Sequence, residues 1–325
     1  MQKCKSTGRI QSMKSTLRIG TRGSELALKQ TELAIAAIKA HHPQLETEVV
    51  IIKTDGDERT DIPLCKVNKA AGTQDKGVFV AAIERALAAG EIDCAVHSLK
   101  DMPGQPDPAF EITAVLPRED IWDALILKQG ADMSRLTLGT SSVRRVQLIR
   151  TYWSGTAKAV SIRGNVHTRL RKLVESEELD GIVLARAGLN RLGLTGDSIT
   201  IDGTTLSVVD MSKDSFMPAL CQGAIAIETR KDDAETHALV APVNDRDTEL
   251  CVRAERAFLA LLNADCSVPV AGYATLNGDF MMMRAIYFMP NGMPVRVTHR
   301  GETENPEEVA AGAYAKLQAA ISPDA

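Results

Sequence analysis

Hydrophobic positions along the chain recur with two periods, near two over short runs and near 3.6 over longer ones, and the two kinds of run alternate. "LRIGT" (residues 17–21) reads as a strand. "SELALKQTELAIAAIKA" (24–40) then sets Leu26, Leu28, Leu33, Ile35 and Ile38 at roughly helical spacing, with Ser24 suited to cap the first turn. "EVVIIKT" (48–54) predicts a second strand, "VFVAAIERALAAG" (78–90) a helix closed by Gly90, and "IDCAVHS" (92–98) a third strand. Strands and helices in alternation predict parallel sheets covered by helices.

A second round begins after Pro117. "ALIL" (124–127) and "LTLGT" (136–140) lead into the helix "SVRRVQLIRTYW" (142–153), then "KAVSI" (158–162) into "NVHTRLRKLVESEEL" (165–179), then "GIVLA" (181–185). From Ser215 to Arg230 the pattern is irregular and holds one more strand, followed by an amphipathic helix, "TELCVRAERAFLALLNA" (248–264). Short alternating runs at 272–276, 281–289 and 295–301 precede a last helix over 306–320, which predicts a small α+β unit behind two α/β units.

Composition narrows the class without naming a function. With 325 residues the chain can build two or three cores, and 25% charged with 44% hydrophobic residues is the profile of a globular protein rather than a disordered one. A net charge of −4 and 4% aromatic residues argue against a nucleic-acid partner. No apolar run approaches 18 residues, so no membrane span is expected. Met1 to Ser15 lacks the apolar centre of a secretory signal, so a cytoplasmic protein with a floppy extension over 1–16 is expected; Lys3, Lys5, Arg9 and Lys14 without an acid keep an organelle leader open. The six cysteines (Cys4, Cys65, Cys94, Cys221, Cys251, Cys266) never approach CxxC spacing and the histidines form no HxxxH pattern, so neither a metal nor a disulfide framework is expected.

Charge distribution changes this picture. Between Met133 and Val174 there is no Asp or Glu, yet the window holds Arg135, Arg144, Arg145, Arg150, Lys158, Arg163, Arg169, Arg171 and Lys172. A charge run of this kind is commonly a solvated helix face. Here the cations fall at strand-to-helix turns: Arg144 and Arg145 after "GTSS", Arg163 and Gly164 after the next strand, with Arg169 close behind. In open α/β sheets that is where ligands bind, and the guanidinium fork pairs with carboxylate or phosphate. The first unit repeats the design, with Arg22 and Ser24 after "LRIGT" and Lys100 and Asp101 after "DCAVHS". Two units that aim cations at one cleft suit a small or chain-like polyanion with several carboxylates.

"RIGTRGSELAL", "AVHSLKDMP", "LGTSSVRR", "IRGNVHTRL", "LARAGLNRLGL", "QGAIAIETR" and "VRAERAFLALLNADCSVP" occur in this order from about Leu17 onward. In these pieces the chain resembles the hydroxymethylbilane synthase, or porphobilinogen deaminase, family. The resemblance implies two type II periplasmic-binding-protein-like α/β domains plus an α+β third domain, joined by two crossing segments. The expected division is 17–117 with 214–232, 118–213, and 233–325. It implies a transferase of haem and tetrapyrrole biosynthesis that joins four porphobilinogen molecules head to tail, releasing ammonia, on a dipyrromethane cofactor thioether-linked to Cys266. A monomer acting on this small molecule is expected.

Carried over residue by residue, Asp101 matches the catalytic aspartate. Lys100, Ser98, Thr140, Ser141, Ser142, Arg144, Arg145, Arg163, Gly164 and Arg169 match cofactor-binding positions. Arg22, Ser24, Lys66, Lys76, Arg191 and Gln222 match substrate-binding positions, Gln222 in the hinge segment. A carboxylate near a pyrrole N–H would stabilise the cation left when ammonia departs. Ala264 and Asp265 stand where the family usually has Gly-Gly, "KVNKAAGTQDKG" is a longer loop than the family pattern, and Arg186 falls where a small or apolar residue is expected. Two other readings stay open: an anion receptor, which would need neither Cys266 nor Asp101, and an inactive relative.

Overall fold

The computed structural model describes residues 14–54, 80–105, 107–263 and 268–321. β1 (Thr16–Thr21) turns into α1 (Glu25–His41), whose cap Ser24 accepts from Ala27 N at 3.3 Å; β2 (Glu46–Ile51), α2 (Ala81–Ala88), β3 (Cys94–Ser98) and β4 (Phe110–Val115) complete the first lobe's leading part. The second lobe comprises β5 (Asp123–Lys128), β6 (Thr137–Gly139), α3 (Val143–Tyr152), β7 (Lys158–Val160), α4 (Val166–Glu175), β8 (Gly181–Ala185), α5 (Arg186–Arg191), β9 (Ser198–Ile201) and β10 (Thr204–Asp210). Then come β11 (Ile225–Arg230), α6 (Ala234–Val240), α7 (Arg246–Leu261), β12 (Val270–Asn277), β13 (Phe280–Phe288), β14 (Pro294–Glu302) and α8 (Pro306–Ile321).

The first sheet runs β2-β1-β3-β11-β4 and the second β7-β6-β8-β5-β10-β9. Both are mixed, which corrects the expectation of parallel sheets: β11 is antiparallel to β3 and β4, and β5 to β8 and β10. The cause is the crossing. Residues 116–122 carry the chain from β4 to β5, and residues 211–224 carry it from β10 back to β11. Each arriving strand therefore starts at the carboxyl ends of its new neighbours, with Asp123 opposite Ala185 and Ile225 opposite Ser98. The cleft between lobes thus lies where parallel strands end, the usual ligand position in such sheets. The β9–β10 hairpin, absent from the expected elements, has a local signal: Asp202-Gly203, at φ 46° and 81°, joins two alternating runs.

The third sheet is the antiparallel meander β12-β13-β14. Phe258 of α7 and Leu317 of α8 pack with Met281 and Met283 on one face, while Tyr273, Ile286 and Phe288 join Leu148 and Phe216 of the second lobe's side. The architecture is two α/β lobes, each built on a mixed sheet, with an α+β unit. Lys14 Nζ donates to Asp93 (3.1 Å), Asp233 (3.0 Å) and Thr236 (2.7 Å), and β1 starts at Thr16, so the chain is engaged before residue 17. Leu239, Val240 and Val243 share a core with Leu17, Ile19 and Ile38, so α6 buries its apolar face against the first lobe.

The crossing segments touch: Glu119 N donates to Gly223 O (3.2 Å) and Leu116 N to Ile225 O (3.0 Å). Gly223 lies at φ +88°, and a methyl there would overlap the Glu119 carbonyl oxygen. Gly223→Ala is expected to lower stability by about 2 kcal/mol, combining left-handed strain with a backbone clash. Denaturant unfolding measures it, and a loss below a few tenths would show that the segments separate freely.

Candidate active site

The first lobe contributes the turn after β3. Leu99 to Asp101 form one 3₁₀ turn, with Leu99 buried as its anchor and Leu99 N donating to Ala224 O (3.1 Å), so the second crossing segment sets where the turn begins. Ser98 Oγ donates to Gln30 Oε1 (2.9 Å) and Lys100 Nζ to Gln222 Oε1 (3.1 Å). Asp101 is half-buried and has no hydrogen-bond or ion-pair partner among the described residues. Gly104, just beyond, lies against Leu259 and Ala260 of α7; a Cβ there would sit 3.0 Å from Leu259 Cβ. The third unit therefore docks on the loop that carries Asp101.

The second lobe contributes the turns after β6 and β7. Ser142 caps α3, accepting from Arg145 N (3.4 Å), and Thr140 Oγ1 accepts from Ser142 N (3.2 Å). Ser141 Oγ donates to Ile162 O (2.7 Å), which ties the two turns together. A hydroxyl that accepts from an N–H keeps its own hydrogen, so Ser24, Thr140 and Ser142 retain a donor for a carboxylate, whereas Ser98 and Ser141 have used theirs. After β7, Asn165 caps α4 through Thr168 N (2.8 Å), and Gly164 occupies φ +122° where a side chain would strike Thr168. Arg163 is half-buried and already engaged. Arg169 Nε reaches Asn165 O (3.4 Å).

Arg144 and Arg145 lie deeper than a cleft lining would require, each about 5% exposed. Both are held by Asp123, which is fully buried: Arg144 Nη2 donates to Oδ2 (2.7 Å), Arg145 Nη2 to Oδ1 (2.7 Å) and Arg145 Nε to Oδ2 (3.2 Å). Arg144 Nη1 also donates to Met217 O (2.6 Å) and Arg145 Nη1 to Val183 O (2.9 Å). Burial alone would raise the Asp123 carboxyl; the charges of Arg144 and Arg145, with bonds from Arg145 and Gln222, reverse this and hold it well below the usual carboxylate range. Arg144 Nε is buried with no acceptor.

Lys100 and Arg169 share this field. Burial lowers Lys100 to about 8, with Asp101 and Asp123 opposing the fall and Arg145 and Arg144 adding to it. Arg169 is lowered to about 10 by burial and by Arg145, with Asp101 opposing. The structure thus brings Lys100 and Asp101 of one lobe together with Arg144, Arg145 and Arg169 of the other, four cations against Asp101 and Asp123. An acid-rich ligand supplies the missing negative charge, so these residues fit a pyrrole chain with carboxylate arms, dipyrromethane included.

The remaining expected residues lie around this centre. Arg191, lowered to about 10 by burial with Glu119 opposing, donates to Gly223 O (2.7 Å). Arg22 is half-buried at the β1–α1 turn and engaged. Gln222 is fully buried with its amide committed within the protein. Lys66, Lys76 and Cys266, with Ala264 and Asp265, lie outside the described residues. Arg186 is a structural cation: it pairs with Asp210 and reaches Gly196 O (3.4 Å). Sequence reasoning missed Asp123, a carboxylate at the head of the apolar run "DALILK", and missed the rim contact between Glu25 of α1 and His167 of α4 (2.8 Å).

Residues 17–238 match the family model described as "Porphobilinogen deaminase, dipyromethane cofactor binding domain", and residues 249–319 match "Porphobilinogen deaminase, C-terminal domain". The chain belongs to the porphobilinogen deaminase family. It is 42% identical to the porphobilinogen deaminase of Roseiflexus sp. (strain RS-1) over 298 residues, covering 90% of this chain and 93% of that one. To the porphobilinogen deaminase of Syntrophotalea carbinolica it is 45% identical over 274 residues, covering 83% and 81%. To that of Acidithiobacillus ferrooxidans it is 42% identical over 305 residues, covering 92% and 93%. Membership makes the chain a transferase of tetrapyrrole biosynthesis whose larger matched region binds dipyrromethane. Among the described residues no helix is long and apolar enough to cross a membrane.

Proposed function

We propose that the cleft between the lobes is where porphobilinogen units are joined, with Asp101 as the catalytic carboxylate. The observation that supports this most is the meeting of Asp101, which has no hydrogen-bond or ion-pair partner among the described residues, with a surplus of buried and half-buried cations drawn from both lobes. When the C–N bond of porphobilinogen breaks and ammonia leaves, positive charge spreads over the pyrrole. A carboxylate beside the ring N–H stabilises that charge and is placed to take the proton that the new bond's carbon gives up. Arg144, Arg145, Arg169 and Lys100 neutralise the acetate and propionate arms, while Arg163, Arg191 and Arg22 extend the basic lining. Thr140, Ser142 and Ser24 offer hydroxyl donors.

Bound through sulfur, the dipyrromethane supplies the growing end to which units are added. We assign that bond to Cys266. The buried thiols Cys94 and Cys221 suit it less: burial pushes the first up to well above the usual thiol range and the second up to about 12, and the thiolate is the reactive form. The division into 17–117 with 214–232, 118–213 and 233–325, a cytoplasmic setting, a single-chain enzyme and porphobilinogen as its small-molecule partner belong to the same reading.

Intact-mass measurement of the chain expressed with its precursor available is expected to show one covalent increment, mapped by peptide analysis to Cys266 and lost in Cys266→Ala. Consumption of porphobilinogen with an increment on another cysteine would overturn the assignment to Cys266. A chain with no increment and no consumption would favour the anion receptor.

A further inference from the structure

Gln222 is buried in the second crossing segment with every polar atom of its amide in use. Nε2 donates to Ile121 O (2.8 Å) and to Asp123 Oδ1 (2.9 Å), which turns Oε1 toward the Lys100 ammonium (3.1 Å). This orientation is the one that satisfies all three partners. Reversed, the amide oxygen would face a carbonyl and a carboxylate, and its NH2 would face an ammonium. Asp123, which fixes the amide from one side, anchors Arg144 and Arg145 from the other. Arg118 Nε donates to the Gln222 carbonyl (2.9 Å), so backbone and side chain are both held. One hydrogen-bonded line therefore runs from the first lobe's 3₁₀ turn, through the crossing segment, to the arginines of the second lobe.

We propose that Gln222 and Asp123 are positioning residues for Lys100: the amide places the ammonium next to Asp101, while the buried carboxylate orients that amide and offsets the repulsion of Arg144 and Arg145. Both residues are fully buried, so they act through Lys100. The placement itself follows from the contacts; its consequence for turnover rests on the proposed role of Lys100 in the cleft. The groups whose charge reaches Lys100 are Asp101, Arg145, Asp123 and Arg144, and the ammonium, already brought down to about 8, loses a stabilising partner when either positioning residue is changed. The sign is therefore fixed: both changes make Lys100 give up its proton at lower pH.

The test is a pH series of Lys100 acetylation by acetic anhydride, read by peptide mass spectrometry on the full chain, for the parent, Gln222→Met and Asp123→Asn. Labelling requires the neutral amine, so its midpoint reports the ammonium directly. Each variant is expected to move the midpoint down by roughly one pH unit, raising labelling about tenfold below it. The alkaline limb of turnover is expected to move the same way. A role confined to holding the fold would lower the melting temperature, or turnover at all pH values equally, and leave the midpoint in place. Should Asp123→Asn fail to fold, with two arginines left without their anion, Gln222→Met decides alone. An unchanged midpoint in folded Gln222→Met overturns the proposal. Moved midpoints with an unmoved alkaline limb uphold the positioning and instead discard Lys100 as a participant in turnover.

Discussion

Asp101→Asn is expected to keep the covalent increment and the fold while turnover falls by about a hundred- to ten-thousand-fold, the range lost with a positioned charge or proton acceptor. The amide has the same shape but no negative charge, so it neither offsets the pyrrole's developing charge nor takes a proton. Asp101 makes no hydrogen bond or ion pair among the described residues, so little folding energy is at stake there. The substitution also reaches its neighbours with a definite sign. Asp101 supports the protonated forms of Lys100 and Arg169, and without it Lys100 should titrate below its present value of about 8. Residual activity should therefore fade at lower pH than in the parent. Steady-state rates across pH, with intact mass as the control for loading, check both parts. Parent-like turnover in the loaded variant would remove Asp101 from the chemistry.

Glu255→Leu is expected to cost about 3–5 kcal/mol, the range for leaving one member of a buried ion pair without its partner. Glu255 of α7 is fully buried and accepts from Arg118 Nη1 (2.7 Å) and Nη2 (2.9 Å), from Ala274 N (2.8 Å) and from Cys221 N. A single carboxylate thus joins the third unit to both crossing segments. Burial works against the Arg118 charge, and Glu255 more than restores it, raising the guanidinium. Without Glu255 that cation and two backbone N–H groups lose their acceptor. Trp122 packs edge-on against Tyr273 at 5.0 Å across the same junction, so tryptophan fluorescence follows its loss during denaturant unfolding. Arg118→Leu combined with Glu255→Leu should recover part of the loss, since an apolar pair leaves no buried charge. A single variant within 1 kcal/mol of the parent would show that the carboxylate is dispensable to the junction.

Contacts between residues near in the chain were open to reading before any coordinates. Ser24 caps α1 because its hydroxyl meets an N–H three residues on, which depends on local backbone alone. The apolar periods that mark β1, α1, β3 and α7 report burial on one face of each element. The acid-free basic window and its fall at strand-to-helix turns pointed to an anion cleft, because helix starts and strand ends in an α/β pattern share one edge. The ordered motifs then carried the family, and with it Asp101 and Cys266. The turn signal Asp202-Gly203 of the β9–β10 hairpin is equally local.

What each charge pairs with was decided by tertiary structure. Arg144 and Arg145 read as ligand-facing cations, but that both also share Asp123 was not legible, because that carboxylate comes under them only where the chain crosses between lobes and β5 starts beside the end of β8. Gln222 read as a hinge residue in contact with substrate. Its amide also spans from Lys100 to Asp123, which stand 122 and 99 positions from it. Arg118 and Glu255 stand 137 positions apart and meet because α7 folds back beneath both crossings. Sequence by itself determined the elements, the sheet-edge cations and the family, since those rest on local spacing. It could not determine which buried charges neutralise one another, because burial makes an unpaired charge costly and the fold alone selects the partner within reach.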